Sequence, residues 1–316
     1  MPVKFGIPMI EGNKDIIAGI TDLTTEADAA ESQKDSYGKL QFFSDFSIAP
    51  SYLIQGTIDN SIPAWMNEDG TLNENAVKEY LEQVNRIWQT QKNAIEETKK
   101  AYQMGDDWAD SDHSGYMDIS GSVTSLLAKV DTVAAGGLLS PEGLVSLDSA
   151  RKVDPDLDYK LLNGQSENCF YPRSAVGVSA KASEKEAAEK FVKFLFEEES
   201  QRASNTEGLA VNSKVYEDMA YWKMGKSSGD TIGSIGTSYD TGDGNIKQFV
   251  MDEIIPEDEA IQNIMDLGKT LTVPAKSNQI IRNAVTESGE KYLNGETGLD
   301  DAVKEIMQEV NLYLSE

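Results

Sequence analysis

The sequence predicts an α/β fold in which helices alternate with short apolar strands, and three patterns carry that prediction. A long segment, 72–103, repeats apolar residues such as Val77, Leu81 and Val84 at helical spacing. A short segment, 3–10, is apolar and partly alternating, which is typical of a strand. The two kinds of segment are interleaved along the chain rather than grouped, and this interleaving favours the α/β class.

Caps and turns locate the other elements of the first half. We expect short helices at 13–20 and 25–36, a strand at 39–46, a helix starting within 49–56, a helix at 122–129 and a strand at 130–135. Thr71 and Glu74 match a capping box at the start of the long helix. Segment 136–142 (GGLLSPE) is expected to turn the preceding strand into a helix with Pro141 at its first position.

The second half follows the same rules. Strands are expected at 159–162 and 175–179, and helices at 257–267, 276–293 and 299–314, with Gly295 as a helix stop. Ser183 and Glu186 match a second capping box, which opens a helix with one apolar face. That face comprises Ala187, Ala188, Phe191, Val192, Leu195 and Phe196. Segment 225–246 is rich in Gly, Ser, Thr and Asp and is expected to be a loop.

Composition excludes several functions. The 316 residues carry 28 basic and 54 acidic side chains, and the net charge of −26 repels phosphate backbones and anionic lipid. Cys169 is the single cysteine, so neither an intrachain disulfide nor a cysteine zinc site is possible. His113, the single histidine, lies in a polar turn (ADSDHSG) that does not favour a catalytic triad. The N-terminus has no basic segment followed by an apolar one, so it does not read as a secretion signal.

Acidic clusters raise two chemical alternatives. Asp154, Asp156 and Asp158 have the spacing of a calcium loop, but Tyr159 and Gln165 stand where glycine and glutamate are needed. We therefore expect no metal and no cofactor. A pair of carboxylates could serve a glycoside hydrolase, which stays an open alternative because 54 acids make some pair inevitable. A structural or adhesion module is a third hypothesis, based only on the acidic surface.

Aromatic side chains are also candidate ligand-binding groups, since flat rings stack on the apolar faces of sugars. Phe42, Phe43 and Phe46 flank Asp45 at a predicted strand end (QFFSDFS). The tryptophans considered as platforms are Trp65, Trp108 and Trp222. Each of these rings is more commonly used for packing than for ligand contact. Trp88 is assigned to the core because it lies in register with Val84 and Leu81.

Two segments, 171–213 and 271–316, resemble parts of a known protein family, and they occur in the same order as in that family. The first contains GVSAKASEKEAAEKFVKFLFEEESQ and then GLAVNSKVYED, and the second ends in a predicted helix pair. Together they resemble the second half of family 1 extracellular solute-binding proteins of sugar-type ABC importers. The opening PVKFGIPMIEGNKDII is similar to the stretch that follows the first crossover between lobes in that family. The resemblance implies a helix-rich fold of the periplasmic-binding-protein type II.

The resemblance also implies how the chain is divided. Family members begin with a secretion leader, usually with a lipidated cysteine, and a long first-lobe segment, and neither is recognised here. We therefore expect a fragment in which 1–162 and 214–316 form a nearly complete second lobe. Segment 163–213 would be the returning part of the first lobe. The apolar face of the helix at 184–200 would then lack its usual partners, and self-association through it is expected.

The resemblance implies a binding protein rather than an enzyme. Ligand, a carbohydrate, would bind in a cleft between lobes and pass to membrane permease subunits at the extracellular face of the cytoplasmic membrane, where the full-length protein is lipid-anchored. The expected second-lobe contacts are Phe43, Asp45, Phe46, Gly137, Leu138, Ser140, Asn278 and Arg282. The aromatic rings would stack, Asp45 would accept hydrogen bonds from hydroxyls, and Arg282 and the backbone after Gly137 would donate. Leu138 and Leu139 stand where the family usually has a stacking aromatic ring.

Overall fold

A long first strand organises the fold. The computed structural model describes residues 1–33, 49–101, 123–124, 126–127, 134–203, 208–240, 246–276 and 278–314. Strand β1 (Pro2–Asn13) pairs in antiparallel fashion with four others: β2 (Ala134–Leu139), β3 (Leu157–Leu161), β4 (Cys169–Ala175) and β5 (Leu209–Ala210). A two-residue strand of the C-terminal region, Val273–Pro274, pairs in parallel with β4 and is numbered β8 below.

The pairing register divides β1 into two halves. Met9 lies opposite both Gly137 of β2 and Leu161 of β3, so these strands occupy opposite edges of the second half. Lys4 lies opposite both Arg173 of β4 and Ala210 of β5, which therefore flank the first half. The strand thus joins two neighbouring sets of strands.

Helices cover both faces of the sheet. They are α1 (Lys14–Ile17), α2 (Leu23–Gln33), α3 (Pro50–Ile58), α4 (Ile62–Trp65), α5 (Glu74–Ala101), α6 (Pro141–Val153), α7 (Lys185–Leu195), α8 (Glu198–Arg202), α9 (Ser213–Tyr216), α10 (Met219–Trp222), α11 (Asp258–Thr270), α12 (Gln279–Leu293) and α13 (Leu299–Leu314). Ile10 packs into a core built from α2, α3, α5, α12 and α13. Ile7 and Met9 pack into a second core with α6, α9, α10 and α11. Successive side chains of β1 therefore point to opposite faces of the sheet, as strand geometry requires.

Several predicted elements are confirmed. The predicted apolar stripe of α5 is buried: Val77, Tyr80, Leu81, Val84 and Ile87 have no exposed surface and Trp88 is 6% exposed. Helices α12 and α13 match the expected segments, and Gly295 follows the first of them with a φ of 79°. Helix α6 begins at Pro141, as expected. None of the helices among the described residues is long and apolar enough to cross a membrane.

Both predicted capping boxes are wrong. Helix α5 is capped by Asn73, whose Oδ1 accepts a hydrogen bond from the Ala76 backbone N–H at 3.2 Å, two residues beyond the predicted Thr71. Helix α7 begins after Glu184, and no side chain caps it. A side chain at the right spacing caps a helix only when the backbone turns at that residue, and packing decides where the turn falls.

Two strand predictions also need correction. β2 runs through Gly136 and Gly137 to Leu139, because β1 pairs with these glycines and holds them extended; residues 130–133 lie outside the described part. β4 lies at 169–175 rather than 175–179. The predicted strand at 39–46 and the acidic loop at 106–115 also lie outside the described residues, as does His113.

The predicted loop at 225–246 is largely a hairpin. Strands β6 (Thr231–Asp240) and β7 (Ile246–Ile254) pair in antiparallel register. Ile235 lies opposite Met251, and both pack against the second core. Gly, Ser and Thr dominate β6, so its strand character depends on this cross-strand packing rather than on local preference.

Candidate functional site

The start of α12 carries two of the predicted site residues, Asn278 and Arg282. Asn278 caps the helix, and its Oδ1 accepts hydrogen bonds from the backbone N–H groups of Ile280 at 3.0 Å and Ile281 at 3.2 Å. Arg282 follows one turn later, and its side chain is only 12% exposed. The cap fixes the direction of the first helical turn and therefore the position of Arg282.

Arg282 forms an ion pair with Asp59, a residue that no sequence pattern marks as functional. The Arg282 Nη1 lies 2.9 Å from Asp59 Oδ2, and the Asp59 side chain is 10% exposed. Burial raises the pKa of the Asp59 carboxyl to about 6, against the opposing effect of the Arg282 charge. The two residues are 223 positions apart in sequence, so no local pattern could have paired them.

The end of β2 supplies the second predicted group. Leu138 is 7% exposed and forms a small cluster with Tyr171 and Ala275. Ser140 caps α6: its Oγ accepts a hydrogen bond from the Gly143 backbone N–H at 3.0 Å. Because Ala275 precedes Asn278 by three residues, the Leu138 cluster places the end of β2 beside the segment that leads into α12. Phe43, Asp45 and Phe46 lie outside the described residues.

A buried polar cluster surrounds Asn60, beside Asp59. With its amide oriented to satisfy both groups, the Asn60 side chain donates to Thr57 O at 2.7 Å and accepts from the Gly164 N–H at 3.1 Å. A Cβ atom at Gly164 would lie only 2.7 Å from Asn60 Cγ. The Ser166 N–H also donates to Asn60 O at 3.1 Å. The loop at 162–168 is thereby attached to the C-terminal end of α3.

The proposed aromatic platforms within the described residues serve packing. Trp65 has no exposed surface, and its Nε1 donates to Gln165 Oε1 at 2.5 Å. Trp222 is 1% exposed and donates to Tyr216 O at 2.6 Å. Trp108 lies outside the described part. Any stacking of a ligand must therefore use rings other than those of Trp65 and Trp222.

A groove of about 490 Å³ lies elsewhere, at the C-terminal end of α6. Its lining includes Arg151, Lys152, Tyr159 and Glu257, and none of the predicted contact residues. Arg151 stacks over the Tyr159 ring, with 5.1 Å between the guanidinium carbon and the ring centroid. Among the described residues there is no cluster of three or more His, Cys, Asp or Glu side chains that could hold a metal ion.

This α/β arrangement, a sheet organised by one long strand with helices on both faces, is that of a type II periplasmic-binding protein. A sequence profile of the family described as bacterial extracellular solute-binding protein matches residues 7–202, which is more than half of the chain. The chain therefore belongs to the bacterial extracellular solute-binding proteins. The expected family and fold class are confirmed.

Solved structures are similar in fold at low sequence identity. One, from Synechococcus sp. MITs9220, is described as a candidate oligosaccharide periplasmic-binding protein in complex with zinc; it is 12% identical, with a TM-score of 0.56, and the match covers 100% of this chain and 72% of that one. Another, an ABC transporter solute-binding protein from Agrobacterium vitis S4 with bound D-mannitol, is 13% identical, with a TM-score of 0.50, over 99% and 72% of the two chains. A search of curated proteins found no match.

Proposed function

We propose that this chain is the substrate-binding component of an ABC importer and that its solute is a carbohydrate. The observation that carries the proposal is the face where the end of β2 packs against the segment that leads into capped α12, the helix that bears Arg282, in a member of a solute-binding family. The structural neighbours from Synechococcus and Agrobacterium, an oligosaccharide-type protein and a mannitol complex, support a polyhydroxylated ligand. We further propose that the solute is bound without turnover at the extracellular face of the cytoplasmic membrane and passed to permease subunits within that membrane.

The division of the chain is part of the proposal. Residues 1–162 and 214–316 would form one lobe, and 163–213 would belong to the other. Strand β1 would join the two lobes, because β4 and β5 of the intervening segment pair with Lys4 and its neighbours. Gln201 adds a second link: its Nε2 donates to Val3 O at 2.9 Å, and its Oε1 accepts from the Val211 N–H at 2.8 Å.

Each predicted contact residue is assigned a role from the hydrogen-bonding groups that it carries. Arg282 carries a fixed positive charge and only donor groups, and we assign it as a donor to a ligand hydroxyl. Asn278 uses its oxygen for the cap, which leaves its NH₂ group as the donor that we assign to the ligand. Phe43, Asp45 and Phe46 are proposed to provide stacking and a hydrogen-bond acceptor. Gly137, Leu138 and Ser140 shape the wall of the face, with the backbone after Gly137 as a further donor.

Self-association through α7 is the last part of the proposal. None of the α7 residues is buried, and Phe191 and Phe194 are 59% and 49% exposed. An apolar stripe on a helix normally packs against another element. We propose that a second copy of the chain covers this stripe.

Calorimetry with D-glucose, maltose, stachyose and D-mannitol tests the function. At least one of these is expected to bind, and chromogenic glycosides are expected to remain uncleaved. Replacing Arg282 with glutamine should weaken binding about tenfold or more, because a charge-assisted hydrogen bond contributes about 1.5–3 kcal/mol. Arg151→Gln, at the far end of α6, is the matched control and should leave the affinity unchanged. Binding of none of the sugars, or hydrolysis of the glycosides, would contradict the proposal.

A further inference from the structure

We propose that Asp59 is a positioning residue for the solute site: it holds the Arg282 guanidinium in place and makes solute binding dependent on pH. This inference deepens the proposed function and rests on it, since it assigns Asp59 a role in the same site. Asp59 would not contact the solute. It would act through the orientation of Arg282.

Helix electrostatics do not explain why this pair is present. Asp59 is the C-terminal cap of α3, where the helix dipole disfavours a negative charge. Arg282 lies at the start of α12, where the dipole disfavours a positive charge. Each charge is therefore placed against the preference of its own helix. The pair has to be stabilised by the contact between the two side chains, and that contact fixes the end of one helix against the start of the other.

The backbone around the pair reinforces the same junction. The Lys276 N–H donates to the Asp59 carbonyl oxygen at 3.0 Å, so Asp59 holds the segment leading into α12 as well as its first turn. Ala275, one residue earlier, packs against Leu138 and Tyr171. A change at Asp59 would therefore reach both Arg282 and the wall of the face formed by Leu138.

Only half of the Asp59 carboxylate is satisfied. Its Oδ2 accepts from Arg282 at 2.9 Å, while Oδ1 is buried without a hydrogen-bond partner in the part of the chain that the structure describes. A buried carboxylate with one open oxygen is poorly compensated and readily takes up a proton. Protonation would remove the charge that orients Arg282.

The surroundings leave Asp59 as the group that titrates near neutral pH. The elements packed around it contribute the Arg282 guanidinium and Cys169, whose pKa is raised to about 11 by burial. Lys276 and Glu167 lie on the adjoining segments, and both are exposed. Since the pKa of Asp59 is about 6, Arg282 would be held above pH 6 and released below it.

Nuclear magnetic resonance tests the positioning role without any ligand. In the wild type at pH 7.5, the resonance of the Arg282 Nη1–H group, which donates to Asp59 and is assigned by its loss in Arg282→Gln, should be restrained and slow to exchange with solvent. In Asp59→Asn, and in the wild type at pH 5, it should become mobile. An Arg282 signal that is unchanged in both conditions would overturn the proposal.

Binding of maltose, with D-mannitol as the second probe, tests the consequence. The wild-type affinity should fall about tenfold from pH 7.5 to 5, whereas Asp59→Asn should bind about tenfold more weakly at pH 7.5 and show no such pH dependence. Asp148→Asn, which neutralises another well-buried carboxylate paired with Lys152, is the control and should retain the wild-type profile. An equal pH profile in wild type and Asp59→Asn would refute the coupling. If neither these probes nor D-glucose or stachyose binds the wild type, the proposed function fails and the resonance experiment alone decides the role of Asp59.

Discussion

Replacing Asp59 with asparagine is expected to change how the stability of the protein depends on pH. The folded-state pKa of Asp59 is about 6, whereas the ordinary value is 3.8, chiefly because of burial. Between these pH values the folded chain holds more protons at Asp59 than the unfolded chain does. The stability contributed by this group is therefore greatest at low pH, is lost as the pH rises toward 6, and stays low above that.

The magnitude follows from the same pKa difference. Integrating the proton uptake of Asp59 from pH 7 to 4.5 gives about 2 kcal/mol in the free energy of unfolding. Urea titrations of wild type and Asp59→Asn, followed by tryptophan fluorescence at several pH values, isolate this contribution because other buried acids, such as Glu11 and Glu26, are common to both proteins. The stability of the wild type relative to the variant should rise by about 2 kcal/mol on acidification across that range.

Arg282→Gln provides a second arm of the same test. Arg282 lowers the pKa of Asp59, so its removal should move the pH-dependent step to higher pH. A stability difference between wild type and Asp59→Asn that stays constant within about 0.5 kcal/mol from pH 7 to 4.5 would refute the reasoning, since such a group would not titrate in this window.

Two further substitutions test packing. Phe194→Glu should weaken self-association about tenfold in sedimentation velocity, because a buried Phe contributes about 1.5–3 kcal/mol, whereas Val250→Glu on the exposed hairpin should not; equal effects would contradict an interface on α7. Gly164→Ala should destabilise the protein by about 1–3 kcal/mol in urea titrations, because its Cβ would crowd Asn60. Gly177→Ala, which has no atom within 4 Å of its added Cβ, should lie within about 0.5 kcal/mol of wild type; a harmless Gly164→Ala would show that the loop adjusts freely.

Long periodic helices were predictable from sequence because their pattern is local. In α5 the residues that face the core recur every three or four positions, and all of the stripe from Val77 to Trp88 is buried as expected. The hairpin β6–β7 was not predictable in the same way. Its glycines and serines read as a loop, and they are held extended by the opposite strand, where Ile235 meets Met251.

The candidate site also contains residues that the sequence predicted and one that only the tertiary structure revealed. Asn278 and Arg282 were selected from a resemblance to known proteins, and the structure places them together at the start of α12. Asp59 was missed, although an acid at the C-terminal end of a predicted helix is an electrostatic misfit that could have drawn attention. Its partner, Arg282, is far away in sequence. The unfavourable position of the Asp59 charge could therefore be recognised from the sequence, but the ion pair that compensates it could not.

The sequence by itself determined the family, the α/β class and the faces of the long helices, because hydrophobic period and segment order are local properties of the chain. Tertiary structure alone decided which glycines become strand, which residues cap the helices, and that Asp59 meets Arg282. Those outcomes depend on strand pairing and on burial between segments up to 223 residues apart, and neither is encoded in any short stretch of sequence.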